Sequence, residues 1–559
     1  LKFSFVRSFL RSRYPLAIVA GVLLACSFPN IGVAGFAWIA PGLMLAVAMG
    51  TTGWQSFRLG YVAAVAHYLT SLSWLLLIPV RGFPILGWAA LSAFIALYPA
   101  TWVWLCASVL GPKPAAAPAE TATSRGVRGI VDDIIQAGWA RRASWAFRCA
   151  AIWVALEMIV ARFLGGFPWN LLGGSQFQIV PLIQIASVTG IYGVAFLAVW
   201  SSVSLLCAVA AILGQPNLRS LWMREIFLPM TAVIAVFVFG FHQLSRAPDP
   251  TRELKVTLVQ PSIPQKLIWD PANDTNRFHQ LISLSEQALT NETDVLFWPE
   301  AAIPKPLQWD KETFQAVTGL ASSHRVWMIV GSDDLAFRDA SDNPKEPDYF
   351  NSSFLINPDG RIANQYKKRS LVIFGEYIPF EHTLPFIKWF TPVTGSFTPG
   401  DRPVQFVMPD LQAKTAVLIC FEDVFPHLAR EYAEPDTDFL VNLTNDGWFG
   451  EGSAQWQQAA AAVFRAVENG LPLVRCSNNG LTCWIDANGR VRQIFRDANG
   501  RIHGPGYLTA RIPLLPVGGK REPTFYNRRG DAFGWGCALF AAITVARAVV
   551  SRRRSTSSR

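Results

Sequence analysis

Three short segments bring together residue types that do covalent chemistry. Glu300 follows the apolar run Val295-Leu296-Phe297-Trp298-Pro299, and Cys420 closes the run Ala416-Val417-Leu418-Ile419. Phe421-Glu422-Asp423 then sets two carboxylates directly after the cysteine. A third segment, Tyr366 to Pro379, carries Lys367, Lys368 and Glu376 in a stretch punctuated by Gly375 and Pro379. Taken singly, a cysteine at a strand end packs as a small hydrophobe, and the charges belong on a surface. Taken together, a thiol, carboxylates and an ammonium are the parts of acyl transfer through a covalent intermediate. A free thiol with a pKa of about 8.5 is only a few per cent thiolate at neutral pH, so it needs a base beside it.

These residues need a scaffold, and from Leu254 onward the pattern is one of short β-rich runs separated by turns. Strands are expected at Val256–Val259, Val295–Trp298, Val326–Val330, Ser353–Ile356, Thr415–Cys420, Phe439–Leu443, Pro472–Cys476 and Cys483–Ile485. Asn357-Pro358-Asp359-Gly360 and Asp486-Ala487-Asn488-Gly489 read as hairpin turns. Helical stretches at 275–290, 311–323 and 454–469 interleave. Near-continuous apolar strands alternating with helices predict an α/β domain with buried sheets. In such sheets function gathers beyond the carboxyl ends of strands, where Glu300 and Cys420 stand.

The rest of the chain is of another kind. The sequence has 559 residues, of which 51% are hydrophobic and only 16% charged, with 21 Trp and 38 Phe. An ordinary soluble protein is about 25% charged. Seven apolar stretches fall near 14–31, 34–50, 59–79, 85–111, 146–162, 181–213 and 226–243, and an eighth near 532–550. Most approach the ~20 residues that a bilayer-spanning helix needs. The net charge of +10 resides at the ends of these stretches. Lys2, Arg7, Arg11 and Arg13 precede the first, and Arg552, Arg553, Arg554 and Arg559 follow the last. Arg58, Lys113, Arg125, Arg128, Arg141, Arg142, Arg219 and Arg224 fall in alternate loops, whereas 80–84 holds only Arg81 and 163–180 no charge. This asymmetry predicts both termini on the cytoplasmic side and residues 244–531 on the other. Such placement speaks for topology rather than nucleic acid, and no zinc-finger spacing or Walker loop is present. The eight cysteines form no CxxC pair, so neither a disulfide framework nor a zinc site is indicated. The first stretch ends in Leu23-Leu24-Ala25-Cys26, a poor fit to a lipoprotein processing site, and is read as an uncleaved helix.

Two features of the apolar half go beyond hydropathy. Glu157 lies inside the fifth stretch, where a carboxylate is either functional or the partner of Arg148 or Arg162. Gly165-Gly166-Phe167-Pro168-Trp169-Asn170 follows, as a loop that touches lipid or as an interfacial anchor.

Strand-Glu, then Lys, then strand-Cys, in that order, resembles the nitrilase superfamily of carbon–nitrogen hydrolases. Set beside eight apolar stretches, it is similar to the apolipoprotein N-acyltransferase family. The matching pieces are Gly166-Phe167-Pro168-Trp169, Gln260 to Gln265, Trp269-Asp270, Trp298-Pro299-Glu300, Leu371 to Pro379, Cys420-Phe421-Glu422, Asn445 to Gly450, Asn478-Asn479-Gly480 and Arg529-Gly530-Asp531. The resemblance implies an αββα sandwich at 244–520, inserted between seven membrane helices at 1–243 and a return segment, eighth helix and basic tail at 521–559. It implies Glu300 as general base, Cys420 as nucleophile and Lys368 rather than Lys367 as the third member of the triad. Glu376, Glu422, Phe421 and Trp269 are implied as supporting residues, and Trp169, Trp448 and Glu157 are candidates for lipid contact. Ile373 stands where the family has Pro, and Phe421 where it has Tyr. The implied reaction moves a fatty acyl chain from a phospholipid, mainly phosphatidylethanolamine, to the N-terminal amine of a diacylglyceryl-cysteine apolipoprotein, with no metal or cofactor. The implied place is a bacterial inner membrane, with the catalytic domain periplasmic. A membrane-tethered amidase would use the same triad with water as acceptor. A transporter or assembly factor with a dead domain is disfavoured by the intact triad, and serine-hydrolase chemistry by the lack of a Gly-x-Ser-x-Gly elbow.

Overall fold

The computed structural model describes residues 12–80, 83–112, 127–215, 221–246, 252–268, 270–337, 347–379, 383 and 396–557. Trp269 and the basic residues Lys2, Arg7, Arg11, Arg81, Lys113, Arg125, Arg219 and Arg559 lie outside them. The chain divides into a helical unit (1–76, 85–245 and 531–559) and an α/β unit (77–84 and 246–530).

In the helical unit, five helices among the described residues are long and apolar enough to cross a membrane. They are Pro84–Val109, Trp139–Val160, Ile191–Gly214, Trp222–Ser245 and Ala532–Ser551. The other apolar stretches form shorter or more polar helices. Tyr14–Ala25 has 12 residues, Ala40–Ala48 has 9, and Gly53–Ser71 carries Gln55, Arg58 and His67. The expected run 181–213 is interrupted at Gly190, whose φ of +66° begins a new helix. Within 84–109, Pro99 removes the N–H that would bond Ile95, and the hydrogen-bond ladder is interrupted beside Ala96 while the helix continues. Glu157 pairs with neither expected arginine. Its Oε1 accepts from Trp153 Nε1 at 3.0 Å and from Leu172 N at 2.7 Å. Arg162 instead pairs with Asp531, and Arg148 Nε donates to Ser144 O at 3.1 Å. Trp169 is buried, its ring 4.9 Å from that of Trp74 and 6.1 Å from that of Phe167.

The α/β unit holds two six-stranded sheets. Its strands are β1 (Arg252–Gln260), β2 (Val295–Phe297), β3 (Trp327–Ala336), β4 (Asp348–Ile356), β5 (Ile362–Lys367), β6 (Gln405–Met408), β7 (Ala413–Ile419), β8 (Phe439–Thr444), β9 (Leu473–Ser477), β10 (Cys483–Ile485), β11 (Val491–Ile494) and β12 (Gly506–Leu514). One sheet runs β12-β1-β2-β3-β4-β5 and the other β11-β10-β9-β8-β7-β6. Each has three parallel strands at its centre (β1, β2, β3 and β7, β8, β9) flanked by antiparallel ones. The sheets meet where Cys476 Sγ of β9 lies 3.4 Å from Val259 O of β1. Helices Asp274–Ala288 and Lys311–His324 cover the first sheet, burying Leu281, Ala288, Val317, Leu320 and Ala321 against Leu296, Trp298, Met328 and Val330. Helix Ala454–Asn469 contributes the cover of the second and is buried at every position but Trp456. This is the αββα sandwich expected from the sequence.

All eight expected strands are present. The two hairpin turns form as expected, with Asn357 Oδ1 accepting from Arg361 N (2.8 Å) and Asp486 Oδ1 from Arg490 N (2.9 Å). Four strands were not expected: β5, β6, β11 and β12. Most of their residues are half-buried or exposed, so they lack the continuous apolar runs of the central strands.

A buried polar network ties the carboxyl ends of β7, β8 and β9. Arg475 on β9 bonds Asp423 after β7 at 3.2 Å, Asp446 after β8 at 2.8 Å, Asn442 Oδ1 at 2.9 Å and Gln458 Oε1 at 3.1 Å. Arg475, Asp423 and Asp446 are fully buried. Removing one partner of such a cluster strands the others without compensation, at about 3–5 kcal/mol. Arg475→Met is therefore expected to destabilise the α/β unit by about that amount, read as a lowered Tm of the purified full chain in detergent.

Candidate active site

Glu300 and Cys420 emerge where parallel strands stop. Glu300 is the third residue after β2 and Cys420 is the first residue after β7. Cys420 has φ = +51° and Ala301, beside Glu300, φ = +47°. Non-glycine residues held in this region store strain and cluster at functional sites. Here the strain turns Cys420 sharply out of β7 into the 3₁₀ turn Cys420–Val424. Its carbonyl is fixed by Asn442 Nδ2 (3.0 Å) and Gln458 Nε2 (2.8 Å), the same Gln458 that bonds Asp423 and Arg475.

Lys368 directly follows β5 and is 1% exposed. Its Nζ donates to Glu300 Oε1 at 3.1 Å and Glu376 Oε1 at 2.8 Å. The carboxylates are held in turn. Asn351 Nδ2 donates to Glu300 Oε1 (2.8 Å) and to Glu376 Oε1 (2.9 Å). Asn445 N donates to Glu300 Oε2 (3.0 Å) and Val372 N to Glu376 Oε2 (2.8 Å). Although burial opposes the charge on Lys368, Glu300 and Glu376 outweigh it and hold the ammonium well above its usual range.

Burial pushes the Cys420 thiol well up, and the Glu300 charge adds to this while Lys368 opposes it. The resting Cys420 side chain is thus a neutral thiol. Glu422 is fully buried and joins the lysine and cysteine segments. It accepts from Arg369 N (2.7 Å) and Ser370 N (3.0 Å), just after Lys368, and from Ile419 N (2.7 Å), just before Cys420. Tyr366 Oη donates to it as well, at 2.8 Å. Burial raises its carboxyl, and the N–H groups of Ile419 and Ser370 pull it back.

Glu300, Lys368, Glu376 and Cys420 therefore form one electrostatically connected cluster, with Glu422 behind it. Phe421 turns aside and packs on Phe425, ring centroids 4.9 Å apart. Trp448 lies in the short turn Asp446–Phe449, partly buried. Segments 260–265, 445–450 and 478–480 converge as well. Asn445 Nδ2 donates to Gln265 Oε1 (2.8 Å), Asn478 Nδ2 to Asn445 Oδ1 (2.9 Å), and Ser262 N to Asn478 O (2.7 Å).

Residues 255–500 match the carbon-nitrogen hydrolase family model, and residues 20–204 match that of the apolipoprotein N-acyltransferase N-terminal domain. An apolipoprotein N-acyltransferase of Geobacter metallireducens is 33% identical over 557 residues, which is 98% of this chain and 96% of that protein. The chain belongs to the apolipoprotein N-acyltransferase family. Another member, from Shewanella oneidensis, is 29% identical over 90% of each chain. Among solved structures, a nitrilase-superfamily amidase from Nesterenkonia aligns over 48% of this chain and 93% of its own, at 15% identity and a TM-score of 0.35.

In this member of the family, sequence reasoning missed Asn351, Asp333, Tyr366, Gln458 and Arg475. Asn351 and Asp333 lie on strands whose polar residues gave no motif, and only the β3–β4 register brings them to the site. The central role of Lys368 is open to a direct check. Lys368→Met is expected to slow alkylation of Cys420 by iodoacetamide at neutral pH by about tenfold or more, because the favourable charge is lost and two carboxylates remain. Peptide mass spectrometry of Cys420 against time measures this.

Proposed function

We propose that this acyltransferase moves a fatty acyl chain from a phospholipid, through a thioester on Cys420, to the N-terminal amine of a diacylglyceryl-cysteine apolipoprotein. The observation that carries the reading is the buried Lys368 bridging Glu300 and Glu376 beside a strained thiol, in a chain that matches apolipoprotein N-acyltransferases end to end.

The steps follow from the cluster. Glu300 takes the thiol proton as Sγ attacks the ester carbonyl, which is why a resting neutral thiol suffices. Lys368 stabilises the oxyanion of the tetrahedral intermediate, an effect of about 3–4 kcal/mol per donor. The proton on Glu300 passes to the departing lysophospholipid alkoxide, leaving the thioester. The acceptor amine, with a pKa of about 7.7–8, is partly neutral at working pH. It attacks the thioester, Glu300 takes its proton, and the thiolate leaves and is reprotonated. Such a sequence is ping-pong. Glu376 holds Lys368 in place and Glu422 holds the lysine and cysteine segments together.

Both substrates are anchored in a bilayer, which accounts for a catalytic domain built into a helical membrane protein. The Lys/Arg asymmetry supports eight spans, with the α/β domain of about 244–520 placed before the last span on the periplasmic side of the inner membrane and both termini cytoplasmic. Phosphatidylethanolamine is the proposed donor. Trp448, Trp169 and the loop at 165–170 are proposed to meet lipid, Trp169 through its stack with Phe167.

Incubation with phosphatidylethanolamine and no acceptor is expected to add one fatty-acyl mass to the parent protein and none to Cys420→Ala, by intact-protein mass spectrometry. A diacylglyceryl-cysteine peptide should discharge the adduct. Release of free fatty acid with no adduct would instead indicate a hydrolase.

A further inference from the structure

Asn351 uses only half of its amide. Its Nδ2 serves Glu300 and Glu376 together, but its Oδ1 is buried without a hydrogen-bond partner, in a side chain 5% exposed. The group that orders the two carboxylates is therefore held from one side. Directly opposite it on the β3–β4 ladder stands Asp333. Directly opposed residues of an antiparallel pair share a face, with Cβ atoms about 4.5–5.5 Å apart. The neighbours of Asp333 are engaged elsewhere. Ser332 Oγ accepts from Leu307 N (3.3 Å), and Asp334 Oδ2 accepts from Gln365 Nε2 (2.6 Å).

The charged groups facing Asp333 are Glu300, Glu376 and Lys368. Two carboxylates against one ammonium leave an excess of negative charge, so a third carboxylate is repelled. Burial, then Glu300 and Glu376, push the Asp333 carboxyl up to about 7, with Lys368 opposing. An ionised Asp333 can only accept hydrogen bonds, and Asn351 Oδ1 also only accepts. A neutral Asp333 has an O–H to give.

We propose that Asp333 is a positioning residue that, as the neutral acid, donates a hydrogen bond to Asn351 Oδ1 and so fixes the amide that orders Glu300 and Glu376. The proposal rests on the reading of Glu300 as base for Cys420. Because folding raises the carboxyl, the neutral form and its bond are complete at low pH and are lost as pH rises through about 7.

The test is single-turnover acylation of the full chain by phosphatidylethanolamine between pH 5.5 and 9, read by intact mass, with no amine present. The parent is expected to slow above an inflection near 7. Asp333→Asn donates to the same oxygen at every pH, so it should keep the low-pH rate and lose the inflection. Asp333→Ala should lower the low-pH rate about tenfold. An unchanged profile in Asp333→Ala overturns the proposal, as does a loss in Asp333→Asn equal to that in Asp333→Ala. Infrared difference spectra between pH 5.5 and 8.5 read the proton without turnover. A protonated-carboxyl band that titrates near 7 and vanishes in Asp333→Asn is expected, and its absence overturns the proposal. A parent that shows this band but forms no thioester would instead refute the triad reading.

Discussion

An ammonium ion taken out of water costs several kcal/mol unless its surroundings return the charge. Lys368 is in that position, and the organisation around it can be read as the means of returning it. Its two carboxylates come from different places, Glu300 from the end of β2 and Glu376 from the loop after β5. Neither would stay without donors of its own. Those donors come from β4 (Asn351), from the turn after β8 (Asn445 N) and from the loop itself (Val372 N). A single charge thus recruits both sheets of the sandwich, and the thiol sits where that recruitment ends.

The acid residues around the thiol divide the labour by what they touch. Glu300 and Glu376 face the ammonium. Glu422 faces backbone and a phenol, accepting three main-chain N–H groups and Tyr366 Oη, so it acts on chain position rather than on charge. Asp423, one residue further, joins the Arg475 network beneath the strand ends. Adjacent carboxylates in sequence therefore belong to separate structures in space, because the 3₁₀ turn after Cys420 points successive side chains in different directions.

How legible this was depended on burial. Strands buried on both faces announce themselves as apolar runs, and the central strands of both sheets were read correctly. The flanking strands β5, β6 and β11 are half exposed and lack that signal, although Lys368 hangs from the end of β5. The proposed triad residues were legible because each sits in a short motif at a strand end. Asn351 was not, since nothing in Tyr349 to Ile356 marks it apart from its neighbours until β4 is laid against β3. Of the two readings of Glu157, the ion pair alone is overturned. Proximity to Arg148 and Arg162 suggested an ion pair, whereas Trp153 stands one helical turn away, at the i,i+4 spacing that lets its indole reach the carboxylate. Apolar composition likewise overstated helix length where Gly190 interrupts the backbone.

The left-handed backbone of Cys420 is gripped through its carbonyl by Asn442 and Gln458, which are locked by Arg475 below. None of these contacts involves the sulfur. On the proposed mechanism, acylation of Sγ therefore leaves the grip untouched, and a two-stroke catalyst of this design needs no spring to reset between strokes. The alternation of donor and acceptor would then fall to the traffic of lipids past a stationary post.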